Sequence, residues 1–277
     1  MTSNSTVQLN FGERLLAWWD VHGRRDLPWQ QQRTPYRVWV SEIMLQQTRV
    51  ETATAYYQRF MQRLPRLEHL ANAELDDVLS LWSGLGYYAR ARNLHKTAII
   101  VRDQYQGEFP DDLEQLEALP GIGRSTAAAI RAQAFGRRAA ILDGNVKRVM
   151  ARHAAIDGWP GQSRVAKQLW AESELRTPEQ RPADYTQAIM DLGATLCSRS
   201  SPDCTQCPVQ QDCKAHLQQR QHELPAPKPR KTVPLKTQVF DLLRNHNGHI
   251  LMQRRPPSGI WGGLWCLPEH GQIELPR

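Results

Sequence analysis

The chain has 277 residues, a net charge of +7 and a pI of about 9.3. This length predicts two domains and a fragment of a third. The excess of 35 Lys and Arg over 28 Asp and Glu favours a polyanionic partner such as nucleic acid, although solubility alone also explains a modest excess of bases. No leader-like start and no run of 18 apolar residues occurs, so we expect a soluble, intracellular protein without a membrane partner.

Apolar residues recur at helical spacing through the first 215 residues. Two stripes are predicted to be core: the first is Phe11, Leu15, Trp18 and Trp19, and the second is Ala53, Tyr56, Tyr57, Phe60, Met61 and Leu64. Helical spacing continues in residues 70–81, 94–101, 113–119, 125–134, 145–153 and 165–175. With no clear strand before residue 236, this part of the chain is predicted to be all-α.

The composition changes in residues 216–236, where four prolines stand among five lysines and arginines. Such a segment prefers extended conformations and is predicted to be an interdomain linker. Beyond it, residues 237–243 and 249–253 flank Asn247-Gly248, a dipeptide that suits a type I′ hairpin turn. We therefore expect a β-containing domain, truncated because about 40 residues are too few to bury a core.

Four of the five cysteines, Cys197, Cys204, Cys207 and Cys213, lie within 17 residues, whereas Cys266 stands alone. This clustering differs from a disulfide framework and predicts a metal centre with thiolate ligands. A four-cysteine zinc site is the alternative. Zinc modules usually pair two C-x2-C knuckles, and only one is present, so the wider spacing favours a cubane iron–sulfur cluster.

A glycine-rich string, Leu119-Pro120-Gly121-Ile122-Gly123, lies between a predicted helix ending at Leu119 and another beginning near Arg124. The glycines permit a tight turn, and the next helix directs its first amides outward, where they can bind a phosphate. This pattern predicts a helix-hairpin-helix DNA clamp. A tight turn between any two helices is the alternative.

Two carboxylates stand in positions suited to chemistry. Asp143 is predicted to cap the N-terminus of a helix, and in a cleft the same group would stabilise the positive charge that develops as a glycosidic bond breaks. Glu42 lies in an apolar helical stretch, where burial would raise its pKa and keep it protonated as a general acid. The alternatives are a purely capping Asp143 and a solvent-facing Glu42.

The segments WVSEIMLQQT, LWSGLGYYARARNL, LPGIGRSTA, ILDGNVKRV and MDLGA, followed by the four cysteines, closely resemble the adenine DNA glycosylase branch of the endonuclease III superfamily over roughly residues 8–270. The resemblance implies a mainly α, two-lobed helix-hairpin-helix glycosylase fold. Its parts would be an iron–sulfur cluster domain from residues 1–26 and 136–215, a six-helix domain at 27–135, a linker at 216–236, and a partial, truncated Nudix-like 8-oxoguanine recognition domain at 237–277.

The same resemblance implies one 4Fe-4S cluster, held by Cys197, Cys204, Cys207 and Cys213. It implies a monomeric, cytoplasmic enzyme, associated with the bacterial nucleoid through DNA, that hydrolyses the N-glycosidic bond of adenine opposite 8-oxoguanine or guanine in duplex DNA. Flipping the adenine costs roughly a few kcal/mol, and less at a mispair. Protonated Glu42 would donate to adenine N7, and Asp143 would stabilise the sugar.

Further residues match the family's binding positions. Those matching the adenine pocket are Arg25, Leu27, Trp29, Asn145 and Gln187. Those matching DNA and mispair contacts are Gln47, Thr48, Leu85, Tyr87, Gly121, Gly123, Ser125 and Lys147. Among the two adjacent tyrosines, we expect Tyr88 to pack in the fold and Tyr87 to wedge into the base stack together with Leu85.

Two rival functions remain. A bifunctional endonuclease III-type glycosylase and lyase places its Schiff-base lysine directly after the hairpin, where this chain has Ser125. A non-catalytic, cluster-bearing DNA-binding module would gain nothing from carboxylates facing phosphates, which disfavours it because Glu42 and Asp143 are present.

Overall fold

The computed structural model describes residues 10–229, 235, 237–256 and 259–271. Its helices are α1 (Phe11–His22), α2 (Pro28–Gln31), α3 (Pro35–Leu45), α4 (Val50–Arg63), α5 (Leu67–Asn72), α6 (Leu75–Leu81), α7 (Ala89–Gln104), α8 (Leu113–Ala118), α9 (Arg124–Phe135), α10 (Gly144–His153), α11 (Ser163–Arg176), α12 (Pro182–Thr195) and α13 (Lys214–Leu217). A 3-10 turn spans Gln210–Asp212, and two short strands, β1 (Gln253–Arg254) and β2 (Trp265–Cys266), pair antiparallel. The mainly α prediction is confirmed. None of the helices in the described ranges combines the length and the apolar character that a membrane span requires.

The first helix begins where the sequence supplies a cap. The Asn10 side chain accepts a hydrogen bond from the Glu13 amide at 3.0 Å, and the Glu13 carboxylate accepts one from the Asn10 amide at 2.8 Å. This capping box satisfies amides that the first turn leaves unpaired. Leu15 and Trp19 of the predicted stripe are buried, while Trp18 is half-buried at the edge of the core.

Two hydrophobic cores divide the helices into two lobes. The first lobe, α2 to α8, packs around Trp39, Phe60 and Trp82. The second lobe contains α1 and α10 to α12. Helix α9 belongs to both, because Ile130 faces the first core and Ala129 the second. The two-lobed fold is confirmed, with α9 as the shared element.

The first lobe contains more helical segments than the six that we expected. Residues 27–135 form eight, partly because α2 is a single turn and the stretch 70–81 is interrupted between α5 and α6. The Arg102 guanidinium, from α7, donates to the Ala71 carbonyl at 3.0 Å and to the Asn72 side chain at 2.6 Å. These contacts satisfy the end of α5 in place of a further helical turn.

The predicted linker and hairpin both differ in detail. The packed chain continues to Leu224, which is buried and accepts a hydrogen bond from Arg152 at 2.9 Å, so the unpacked segment begins later than residue 216. Near the predicted hairpin, Asn247 lacks the positive φ that a type I′ turn requires, and Gly248 has φ 84°. The Asn245 side chain accepts hydrogen bonds from the backbone amides of Asn247 and His249, so the turn begins at Asn245.

Candidate functional site

A cavity of about 580 Å³ opens where α3, α9, α10 and α12 meet. It is lined by most of the residues that we predicted for catalysis and adenine binding, and by some of those predicted for the mispair. These are Leu27, Trp29, Glu42, Gln47, Thr48, Ser125, Asp143, Asn145 and Gln187. The fold thus brings together residues that are up to 160 positions apart in sequence, from Leu27 to Gln187.

Glu42 reaches this cleft from α3, a helix that starts at Pro35 after the Thr34 cap. Its neighbours Trp39 and Ile43 are buried in the first core, which leaves Glu42 on the side facing the cleft. Burial raises the pKa of Glu42 to about 8, and the negative field of Asp143 adds to the increase. Glu42 is therefore mainly protonated at neutral pH, as a proton donor must be.

Asp143 caps α10, as predicted, and its Oδ1 accepts a hydrogen bond from the Val146 amide at 2.7 Å. Burial raises the pKa of Asp143 above its ordinary value, while the amides of Val146 and Asn145 and the charge of Arg148 oppose that increase. Amide donors at a helix N-terminus stabilise a carboxylate. The two acids thus differ in their surroundings: backbone amides favour the charged form of Asp143, whereas burial and the charge of Asp143 favour the neutral form of Glu42.

The crossing of α10 and α12 places Asn145 against Gly193. A Cβ at Gly193 would lie 2.6 Å from the Asn145 Cβ, so only glycine permits this approach. Arg148 fixes the junction by donating to the Asn145 side chain at 2.9 Å and to the Cys197 carbonyl at 2.7 Å. Gln187, six residues before Gly193 on α12, also lines the cleft.

Arg25 does not line the cleft. It pairs with Asp20 at 3.2 Å, and its guanidinium lies 4.8 Å from the Trp19 ring. The arginine that does line the cleft is Arg24, which forms an ion pair with the buried Asp191 at 2.7 Å. Sequence reasoning missed Arg24 because two adjacent arginines carry the same chemical signal.

The segment around Tyr87 projects from the first lobe. Tyr87 is 62% exposed with φ 50°, whereas Leu85 is buried in the core and Tyr88 packs against it, as expected for Tyr88. Tyr87 lines a second cavity of about 590 Å³, which also includes Trp261 and shares Gln47 with the first. An exposed aromatic side chain beside the cleft is suited to stacking on a base.

Arg90 is a further residue that sequence reasoning missed. Its guanidinium donates to three carbonyls at the end of α3, those of Ile43 at 2.9 Å, Met44 at 3.0 Å and Gln46 at 2.6 Å. It also lies 5.5 Å from the Tyr87 ring. Arg90 therefore connects the helix that carries Glu42 to the segment that carries Tyr87. Arg90 stands close to Arg92 in the sequence, and nothing in this basic segment predicts that Arg90 connects the two elements.

The predicted hairpin lies between α8, which ends at Ala118, and α9, which begins at Arg124. Gly121 has φ 80°, and a Cβ there would lie 2.8 Å from the Asn93 Cβ, so this turn requires glycine. A Cβ at Gly123, the cap of α9, would meet nothing within 4 Å. Gly123 is also exposed, so the N-terminus of α9 lies at the surface, and backbone amides at a helix N-terminus can bind a phosphate. Lys147 lies on α10, outside the lining of the cleft.

The first residues of α9 also enter the cleft. Ser125 lines it, and its hydroxyl accepts a hydrogen bond from the Leu142 amide at 3.0 Å. This bond links the start of α9 to the segment just before Asp143. The position that would carry a lysine in a lyase thus holds a hydroxyl engaged in the fold.

All four clustered cysteines line one cavity, together with apolar side chains such as Val149 and Val209. Arg152 donates to the Cys197 sulfur at 3.3 Å, and burial raises the pKa of Cys207 to about 12. In the described part of the chain, no three His, Cys, Asp or Glu side chains surround a single metal-ion position.

Comparison with known proteins gives the family. Residues 40–174 match the HhH-GPD superfamily of base excision DNA repair proteins, and residues 239–276 match the NUDIX domain. The chain is 40% identical over 261 residues to an adenine DNA glycosylase of Buchnera aphidicola subsp. Baizongia pistaciae, a match that covers 94% of this chain and 74% of that protein. The chain belongs to the adenine DNA glycosylase family. It is 44% identical over 223 residues to the human adenine DNA glycosylase, covering 77% of this chain and 41% of the human one.

Two solved structures share the fold of this chain. A thermostable thymine-DNA glycosylase superposes with a TM-score of 0.68 at 28% identity, covering 75% of this chain and 95% of its own. A non-covalent endonuclease III–DNA complex superposes with a TM-score of 0.62 at 22% identity, covering 75% and 94%, and shares the fold. The prediction of a DNA-binding glycosylase of base excision repair is confirmed, which favours an enzyme over a non-catalytic module.

Proposed function

We propose that this adenine DNA glycosylase acts on adenine opposite 8-oxoguanine or guanine, and that it releases the base without cutting the strand. The proposal rests mainly on the position of two carboxyl groups in one cleft: Glu42, whose pKa is raised to about 8 by burial, and Asp143, which caps α10. A flipped adenine needs a proton donor on its ring and an anion beside its sugar, and this cleft offers one of each.

The proposed reaction uses the two carboxyl groups in turn. Glu42 donates its proton to adenine N7, and the bond between the sugar C1′ and N9 breaks with its electron pair passing to the base. Asp143 stabilises the positive charge on the sugar. Water then adds to C1′, and the proton that it loses restores the Glu42 acid. Trp29 and Leu27 line the same cleft and would present apolar surface to the flipped base.

Selectivity for the opposing base is attributed to the residues that link the cleft to Tyr87. Gln47 and Thr48 line the cleft, and Gln47 also lines the neighbouring cavity together with the exposed Tyr87. Tyr87 would enter the base stack, while Leu85 supports it from the core rather than standing free. An A:8-oxoguanine pair is less costly to open than a matched pair, which adds to the selectivity.

We expect faster excision of adenine opposite 8-oxoguanine than opposite guanine, and little excision opposite thymine. Single-turnover rates on three duplexes that differ only in the opposing base measure this order. Tyr87→Ala should reduce the preference because a stacked aromatic side chain contributes roughly 1–3 kcal/mol. Equal rates on all three duplexes would contradict the proposed specificity.

The four cysteines are proposed to hold one 4Fe-4S cluster. The residues fit it, because Cys197, Cys204, Cys207 and Cys213 surround one cavity and Arg152 supplies positive charge beside thiolates. When bound, the cluster would serve as a structural crosslink between the end of α12 and the turns that precede α13. Metal coordination also ionises thiols that burial otherwise keeps protonated, as for Cys207.

Purified protein is expected to contain about four iron and four sulfide per chain. Elemental analysis and visible absorption measure this content directly. Cys204→Ser should lower the yield of folded protein, because one ligand of the crosslink is lost; Cys266→Ser, at the cysteine outside the cluster, is the control. One zinc per chain without iron or sulfide would overturn the cluster assignment.

A further inference from the structure

A hydrogen-bonded chain of side-chain amides connects the buried carboxylate of Asp191 to the carboxyl group of Glu42. Asp191, which is fully buried, accepts from the Gln187 amide nitrogen at 2.8 Å. The Gln187 oxygen accepts from the Gln30 amide nitrogen, which also donates to the Gln133 oxygen at 3.3 Å. The Gln133 nitrogen donates to Glu42 Oε1 at 3.3 Å. We call these three glutamines the amide chain.

The orientation of the amide chain is set at its Asp191 end. A carboxylate can only accept hydrogen bonds, and Asp191 already accepts from the Trp19 indole at 3.0 Å and from the Arg24 backbone and side chain at 2.9 Å. Gln187 must therefore present its nitrogen to Asp191 and its oxygen to Gln30. The bonding of one amide thus dictates the bonding of the next.

A second anchor fixes the middle of the amide chain. The Arg33 guanidinium donates to the Gln30 oxygen at 2.9 Å, and a guanidinium can only donate. Gln30 must then present its nitrogen to both Gln187 and Gln133. Gln133 receives that donor on its oxygen, which leaves its nitrogen for Glu42. Both anchors require the same direction for every bond.

From this arrangement we infer that Gln133 and Gln30 are positioning residues that hold the Glu42 carboxyl group for proton transfer. Because Gln133 donates to Oε1, the second oxygen of Glu42 is the one left to carry the proton. The inference rests on the proposed acid role of Glu42. It also gives Gln187 a task besides lining the cleft, since both polar atoms of its side chain belong to the amide chain.

The charges around Glu42 give this arrangement an electrostatic consequence. Asp143, at the start of α10, opposes ionisation of Glu42, while the Gln133 nitrogen, from α9, favours it. The charge of Asp191, on α12, is paired with Arg24. Loss of Gln133 would therefore raise the pKa of Glu42 and release its carboxyl group to rotate.

The test is the pH dependence of single-turnover adenine excision from an A:8-oxoguanine duplex by Gln133→Met and Gln30→Met. For Gln133→Met we expect the rate at neutral pH to fall by roughly 10- to 100-fold, because the acid loses its orientation. The decline of activity at high pH should move to higher pH, since the ionised form of Glu42 has lost a donor. Gln30→Met should lower the rate at neutral pH and move the high-pH decline in the same directions but by less, because Gln133 keeps its amide.

Thr186→Val is the matched control. The Thr186 hydroxyl, next to Gln187 on α12, is buried and has no hydrogen-bond partner among the described residues, so its removal should leave both readouts unchanged. Duplex affinity and melting temperature are measured for every variant. If both glutamine variants melt at a lower temperature than the parent but lose activity at the same high pH, the two glutamines have a merely structural role. That result would overturn the inference.

Glu42→Gln separates this inference from the proposed function. If Glu42→Gln is inactive while both glutamine variants keep the parent rate and pH profile, the positioning role is wrong and the acid role stands. If Glu42→Gln excises adenine at the parent rate, the acid role itself fails. Should Gln133→Met fail to fold, the rate and the pH profile of Gln30→Met decide whether the positioning role holds. This variant keeps the hydrogen bond from Gln133 to Glu42 and changes only the group behind it.

Discussion

Glu42→Gln is expected to remove nearly all adenine excision while leaving duplex binding intact. The amide preserves the size of the side chain but has no acidic proton to give. A positioned general acid contributes about 10²- to 10⁴-fold to a rate, so the single-turnover rate should fall by at least about 100-fold. The parent enzyme at the same pH is the reference, and a variant rate within a few-fold of it would contradict the acid role.

The same variant should be more stable than the parent at neutral pH. The pKa of Glu42 is raised to about 8 in the folded state, so its protonated form is favoured there, while the unfolded chain ionises near 4.5. The stability that this group contributes is present below about pH 4.5 and is lost progressively as the pH rises to about 8. Glu42→Gln removes that loss, a gain on the order of 3 kcal/mol at pH 7 and less at pH 5. Thermal unfolding at the two pH values measures it.

Asp143→Asn should also lower the rate of adenine excision strongly. Asparagine caps a helix about as well as aspartate, so the bond from the Val146 amide and the start of α10 should survive. What is lost is the negative charge beside the sugar, and loss of such electrostatic stabilisation costs roughly 10²- to 10³-fold in rate. Single-turnover excision with saturating enzyme measures this loss separately from binding.

The pH profile of Asp143→Asn gives an independent check. Asp143 raises the pKa of Glu42, so its neutralisation should move the residual alkaline limb to lower pH. This shift is opposite in sign to the one expected for Gln133→Met. Near-parent excision by Asp143→Asn would show that Asp143 serves only as a cap, and an unmoved limb would show that the two carboxyl groups do not interact.

The parts of this site that could be predicted from sequence are those in which chemistry is local. The four cysteines lie close together in the chain, the hairpin carries its own glycines, and Asp143 precedes a helix that it caps. Glu42 stood out because a carboxylic acid is unusual among apolar neighbours. Each of these signals depends on residues that are near one another in sequence.

The parts that could not be predicted depend on contacts between distant segments. Gln30 and Gln133 meet only after α2 packs beside α9, and glutamine is too common on helix surfaces to attract attention. Arg24 and Arg25 differ only in the direction that each side chain takes after α1. The break between α5 and α6 is stabilised by Arg102, which lies on α7. No local pattern in residues 70–81 predicts this contact.

The products released from a duplex containing adenine opposite 8-oxoguanine show whether the enzyme removes the base and leaves the strand intact. Chromatography of the free base and mass analysis of the strand, both without alkali, report on the two halves of the reaction. We predict free adenine in amounts equal to abasic sites, with the strand intact until alkali is added, because the hydroxyl of Ser125 cannot form a Schiff base. Strand cleavage without alkali as fast as adenine release, or release of no adenine, would contradict this account.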